Sequence, residues 1–268
     1  MNRPSYLRLG STILWIGCAL AFIPLGYSEV PTGKTQSFTK FTEGSLRGRP
    51  KLSELAQLDE DDKSALVRLF KEEALTNKAR LAWGIAHLGG DEVLEVLKQP
   101  LEFDYRGRKL GFEGESAMLE ILRAIGYLGQ RSEAAYQYLT SSIAPDVWRQ
   151  RITWRRKENT QSAAEVRFTG YALSAVAMTG NTNSMAAIAA VVKRIEENKD
   201  EMKVIAGLVV DSVFFLWFIN EKGREGLIEA FTESTHMLED FRAFLRTESG
   251  RAWKNWSYRI TGIERPED

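Results

Sequence analysis

KARLAWGIAHLGGDEVLEVLKQPL, residues 78–101, reads as two short amphipathic helices joined by a pair of glycines. Leu81, Ala82, Ile85, Ala86 and Leu88 recur at the spacing that lines one face of a helix. Val93, Leu94 and Leu97 form a second such stripe, and Gly89 with Gly90 supplies the stop between them. The stretch therefore predicts a helical hairpin.

The plan recurs three more times. Residues 116–143 give AMLEILRAIGYLG and then SEAAYQYLTSSI; residues 166–198 give VRFTGYALSAVAMTG and then TNSMAAIAAVVKRIEEN; residues 207–234 give GLVVDSVFFLWFIN and then KGREGLIEAFTES. Aligned turn positions are Gly89, Gly129, Gly180 and Asn220, spaced by 40, 51 and 40 residues. Four residues before each turn lies Ile85, Ile125, Val176 or Leu216, flanked in the first three copies by small residues such as Ala86, Gly126 and Ala177. Small residues let neighbouring helices approach closely while the branched ones fill the contact. In the fourth copy the small positions become Phe215 and Trp217.

The Ala124-Ile125-Gly126-Tyr127-Leu128-Gly129 pattern resembles HEAT-like helical repeats, whose two-helix units recur at about 40 to 47 residues. The likeness spans residues 78–234; a 34-residue tetratricopeptide pattern fits less well, and a more general right-handed helical solenoid stays open. It implies an all-α, right-handed α-α superhelix of about four hairpins that acts as a curved binding scaffold, and it carries over no catalytic residue. LSELAQLDEDDKSALVRLFKEE, residues 52–73, reads as a covering unit with a helix from about Asp61, capped by Ser53 or by Asp59 to Asp61. At the other end, MLEDFRAFLR from Met237 reads as an amphipathic helix, and the aromatic alternation of RAWKNWSYRI from Arg251 is placed to close the stack.

The N-terminus has a different character. Arg3 and Arg8 precede an apolar run from Thr12 to Leu25, followed by the small residues Gly26 and Ser28, so residues 1–28 read as an export signal. The alternative is a membrane anchor through residues 12–25, although that run is shorter than the roughly 20 residues a spanning helix needs. Trp15 before Cys18 departs from a lipobox. Residues 29–51, rich in Thr, Ser, Gly, Lys and Arg, are expected to be a flexible linker to a domain over 52–268.

Cys18 is the only cysteine, so a chain cleaved after the signal holds no thiol and no disulfide. Removing Arg3 and Arg8 leaves 34 basic against 36 acidic residues, a formal charge of −2, which gives no pull toward nucleic acid. His87 and His236 lie in different units, so no metal site or cofactor is expected; nor does a phosphate loop, a nucleophile elbow or a His-Glu-x-x-His helix occur. Asp211, inside the apolar run 204–219, is the carboxylate whose burial is worth testing; that run is too short for a membrane span and reads as a buried helix.

Two inserts interrupt the repeat. In EFDYRGRKLGFEGE, residues 102–115, Phe103 and Tyr105, then Leu110 and Phe112, alternate around a basic tip, which reads as a short β-hairpin, either pinned to the core or used for binding. Residues 144–164 carry Trp148, Arg149, Arg151, Trp154, Arg155 and Arg156. Either the tryptophans cover a small core of the insert, or Trp148 and Trp154 anchor a protein partner whose acidic surface pairs with the four arginines. The expected function is an exported, periplasmic or secreted, non-enzymatic scaffold for protein binding, with peripheral or anchored membrane association as a further option. The alternative is a helical array that binds or processes an envelope glycan, which needs two carboxylates facing one aromatic-lined groove. Asn255-Trp256-Ser257 is a glycosylation sequon only in a eukaryotic secretory host.

Overall fold

The computed structural model describes residues 36–103, 105, 110–151, 161–233 and 237–263; over these the chain is all-α. Helices α1 (Gln36–Glu43) and α2 (Glu60–Glu72) come first, followed by the pair α3 (Lys78–Leu88) and α4 (Asp91–Leu97) and the pair α5 (Phe112–Leu128) and α6 (Glu133–Ser141). A short α7 (Pro145–Arg151) precedes the pair α8 (Gln161–Met178) and α9 (Ser184–Glu197). The last pair is the two arms of α10 (Ala206–Glu233), followed by α11 (Met237–Arg246) and α12 (Glu248–Thr261), with single helical turns at Leu52–Leu55, Gln99–Glu102 and Lys199–Met202 between the longer helices. Asp59 caps α2 by accepting from the amides of Asp61 and Asp62.

The first arms pack in series: α3 on α5, α5 on α8, α8 on α10. The small residues expected at these contacts are fully buried, Ala86, Ala124, Ala175 and Ala177 among them. Gly126 shows why size matters here, because a Cβ at that position would lie 2.7 Å from the carbonyl oxygen of Ala175. The fourth unit departs from the rule because its outer neighbours are α11 and α12 rather than another hairpin of the same plan. Phe214 packs against Phe241 and Phe244 of α11 with ring centroids 5.1 and 5.7 Å away, and Trp217 against Phe244 at 5.6 Å. Phe215 packs against Phe231, in the second arm of its own unit, at 5.1 Å.

Gly89 and Gly180 have the positive φ expected of a glycine stop, 74° and 61°, but Gly89 joins it to an extended ψ of −164° rather than the left-handed helical one. Gly129 instead keeps a right-handed φ of −65°. Asn220 is not a turn: the helix runs through it and breaks at Gly223, with φ 80° and ψ 170°. Asparagine can enter the left-handed helical region, but this extended positive-φ conformation belongs almost entirely to glycine. The helical run Lys199–Glu233 is also long and apolar enough to cross a membrane, so the length argument made for 204–219 does not hold. Its Val209, Val213, Phe214 and Phe218 are buried, and α10 packs against α8, α9, α11 and α12, as a core helix does.

Two further expectations are corrected. The tether expected over 29–51 is, from Gln36 onward, packed onto the stack: α1 buries Phe38 and Phe41, and residues 44–51 cross to α5 and α10 through Arg49. The aromatics of α1 give this polar stretch enough apolar area to dock. The β-hairpin of residues 102–115 is not formed as drawn, since Phe112 opens α5 and stands 83% exposed while Tyr105 and Leu110 are buried. Residues 106–109, its basic tip, lie outside the described residues, as do residues 1–35 and the C-terminal 264–268.

Candidate functional site

Within the apolar run 118–128 of α5 stand two charged residues, Glu120 and Arg123, one turn apart. Arg123 Nη1 donates to Glu120 Oε1 at 2.7 Å. Arg49 approaches from the segment after α1: its Nε and Nη2 donate to both oxygens of Glu120 at 2.8 and 2.9 Å, and its Nη1 donates to the Phe231 carbonyl at 2.6 Å. The Trp83 indole of α3 donates to Glu120 Oε2 at 3.1 Å. The Phe231 ring lies 5.1 Å from the Arg49 guanidinium carbon and 5.3 Å from that of Arg123. The carboxylate thus gathers groups from α3, α5 and the N-terminal segment, and Arg49 ties it on to α10.

Burial alone would raise the Glu120 pKa, but the guanidiniums of Arg49 and Arg123 override it and hold the carboxyl at about 2. Burial acts on Arg123 in the opposite sense, lowering it against the pull of Glu120, and among the described residues its buried Nε has no hydrogen-bond partner. Asp211 of α10 is partly buried, and desolvation pushes it up to about 6 despite the attraction of Arg123. A second carboxylate of α5, Glu115, accepts two bonds from Arg167 of α8 at 2.8 and 3.2 Å and one from the Tyr171 hydroxyl at 3.2 Å. Burial and then Glu115 push Tyr171 up to about 12.

The seam continues along α3 and α5 to the turns. Trp83 and Tyr127 stack at 5.8 Å, and the Tyr127 hydroxyl lies 2.9 Å from His87 Nδ1. His87 is depressed by burial and then by Arg131, as befits a packed rather than a charged histidine. Arg131 donates to the last carbonyls of α3, those of Ala86 and His87. Arg224 donates to the Gln130 carbonyl at 2.8 Å and the Gly180 carbonyl at 3.0 Å. A cation placed on orphan carbonyls at a helix C-terminus is favoured by the helix dipole.

The arginine-tryptophan insert is arranged differently from its expected use. Trp148 is fully buried, donates to the Ser142 carbonyl at 2.7 Å and packs on Phe168 at 5.0 Å, so it belongs to the core and offers no anchor. Arg149 is exposed but pairs with Asp146 at 3.1 Å and with the buried Glu165 at 3.0 Å. Arg151 lies over the Tyr138 and Trp148 rings at 5.7 and 5.5 Å. Trp154, Arg155 and Arg156 lie outside the described residues, as does His236. Among the described residues no group of three His, Cys, Asp or Glu side chains is arranged to hold a metal ion.

Arg49, Glu120 and Arg123 were missed as a cluster in the sequence. The available signal was Glu120 with Arg123 one turn apart in an otherwise apolar stretch; nothing local marks Arg49, whose partners lie 71 and 182 residues away. No family model, curated protein or solved structure matches the chain.

Proposed function

We propose that the chain is an exported, non-enzymatic interaction scaffold built as a right-handed, HEAT-like α-solenoid. The observation that carries this reading is the serial packing of first arms, α3 on α5 on α8 on α10, with the first three also packed on their own second arms. Stacked hairpins of this kind expose surface running across several units, which suits recognition of an extended partner. The carboxylates on α5 support it too, because Glu115 and Glu120 are tied into ion pairs that stiffen the stack. An acidic protein partner would meet Arg149 and Arg151, with Trp148 contributing support from the core.

The test is photo-crosslinking in envelope and secreted extract, with a crosslinkable residue replacing Phe112 in one version of the chain and Arg149 in another. A single protein adduct from one position, competed by unlabelled chain and weakened by salt, is expected. Retained envelope glycan with no protein adduct would overturn the scaffold reading. Mass measurement of the exported chain tests cleavage near Ser28; an intact N-terminus would favour the anchored form.

The glycan-processing alternative needs two free carboxylates facing one aromatic-lined groove, and Glu120 is fully engaged by Arg49, Arg123 and Trp83. Turnover of envelope glycan by the native chain, abolished by Asp211→Asn, would establish that reading over the scaffold.

A further inference from the structure

The segment from Gly44 to Lys51 has no regular helix, yet its Arg49 reaches the most enclosed carboxylate on α5. All edges of that guanidinium are read. Both Glu120 oxygens take the Nε and Nη2 fork, the Phe231 carbonyl takes Nη1, and the Phe231 ring covers one face. Such a planar, two-sided fit is specific to arginine, since a lysine ammonium has neither the fork nor the stacking plane. Arg123 and Trp83 also bind the Glu120 carboxylate, so its position does not rest on Arg49 alone.

The carrier is an irregular segment, with Leu46 packed against the core and Pro50 buried. Between Gly44 and Lys51 the other bonds to the stack include the Arg80 amide to the Leu46 carbonyl at 3.0 Å and an exposed Arg47 to Glu113 pair at 3.3 Å. A rigid, pre-oriented receptor loaded with a short irregular peptide of the same chain is the arrangement of an internal ligand.

We propose that Glu120, Trp83 and Phe231 form an arginine-recognition site, occupied in cis by Arg49 and open to an arginine-bearing extended segment of a protein partner when residues 44–51 are displaced. The partner role rests on the scaffold reading; the arginine selectivity does not. It also adds a second chemistry to the acidic partner surface, namely one exposed arginine.

The experiment uses the full chain with Arg49→Ala, which empties the guanidinium position, and N-acetylarginine amide as probe, with N-acetyllysine amide as its control. Thermal unfolding should show a saturable rise in Tm with the arginine probe, with about tenfold or greater selectivity over lysine, because only the guanidinium supplies the fork and the stacking plane. Neither the wild-type chain, in which Arg49 keeps the site filled in all but a small fraction of molecules, nor the Arg49→Ala, Glu120→Gln double variant should show a rise in Tm. Equal responses to the two probes, or to wild type and variant, would overturn the proposal. Should Arg49→Ala not fold, hydrogen exchange on the wild-type chain gives the same contrast. The arginine probe, and not the lysine probe, should speed exchange at Leu46 to Lys51, and equal exchange would overturn the proposal. Loss of selectivity would leave the crosslinking test of the scaffold untouched, so the two failures are distinguishable.

Discussion

The contact of α5 with α8 and the contact of α10 with α11 solve the same problem in opposite ways. At the first, Gly126 brings the helices so close that a single added methyl would strike the Ala175 carbonyl. At the second, Phe214 fills the space with its ring among Phe218, Phe241 and Phe244. Interior joints of the stack are made by removing side chains, whereas its end is made by adding them. The reason lies in the neighbour each arm must meet: another long helix in one case, two shorter capping helices in the other.

Truncation at the end should have the largest effect. Phe214→Ala removes a buried ring that touches α11, and large-to-small changes of this kind cost about 3–5 kcal/mol. Equilibrium urea unfolding measures it, and a loss below about 1 kcal/mol would mean that α11 is not held by this cluster. Next comes addition at the middle. Gly126→Ala gains helix propensity, but the 2.7 Å approach to backbone forces α5 and α8 apart, for a net cost of about 1–3 kcal/mol. A stabilised Gly126→Ala chain would show that the joint is looser than its geometry.

The same contrast explains what the sequence revealed. Interior joints were legible because close approach leaves a repeated mark, small residues flanking a branched one just before the turn and fullest in Ala124-Ile125-Gly126-Tyr127-Leu128-Gly129, and helical periodicity marks the arms around it. The break at Gly223 was misplaced to Asn220 because alignment at a 40-residue spacing outweighed backbone chemistry: Gly223 lies three residues further on and alone suits φ 80°, ψ 170°. Trp148 looked like an anchor because it stands among arginines; its burial depends on Phe168, 20 residues away on α8. Arg49 and Glu120 were the least legible of all. Their pairing is a tertiary event with no local period, written in a segment whose composition resembles a linker.

Protonation gives a prediction of opposite sign, located where the end meets the middle. Asp211 on α10 has an ordinary pKa of 3.8 that folding raises to about 6, so the unfolded chain releases this proton first. Its contribution to stability therefore falls as pH rises from about 4 to about 6 and is a constant penalty above that. Asp211→Asn should remove the penalty and stabilise the chain at pH 7 by about 2 kcal/mol, with the gain vanishing near pH 4. Glu120 runs the other way: its stabilisation is complete above its ordinary 4.5 and is lost as pH falls toward about 2. Urea midpoints of wild type and variant across pH 4 to 8 separate the two, and a pH-independent gain would remove Asp211 as the titrating group.

Gly207 gives the smallest effect and the cleanest control on the comparison. It lies in the first turn of α10, in the arm that packs on α8, but a Cβ there would meet nothing within 4 Å. Gly126 and Gly207 are both helical glycines, and only the first stands against a neighbour. If close approach is what glycine serves at the interior joint, Gly207→Ala should stabilise, by at most about 1 kcal/mol, since only the unfolded-chain entropy and helix propensity change. A destabilised Gly207→Ala beside a destabilised Gly126→Ala would mean that these arms resist any added methyl, and the steric account of the joint would fail. Opposite signs in the two variants would locate the restriction at the helix contact itself, because the chemical change is identical and only the neighbour differs.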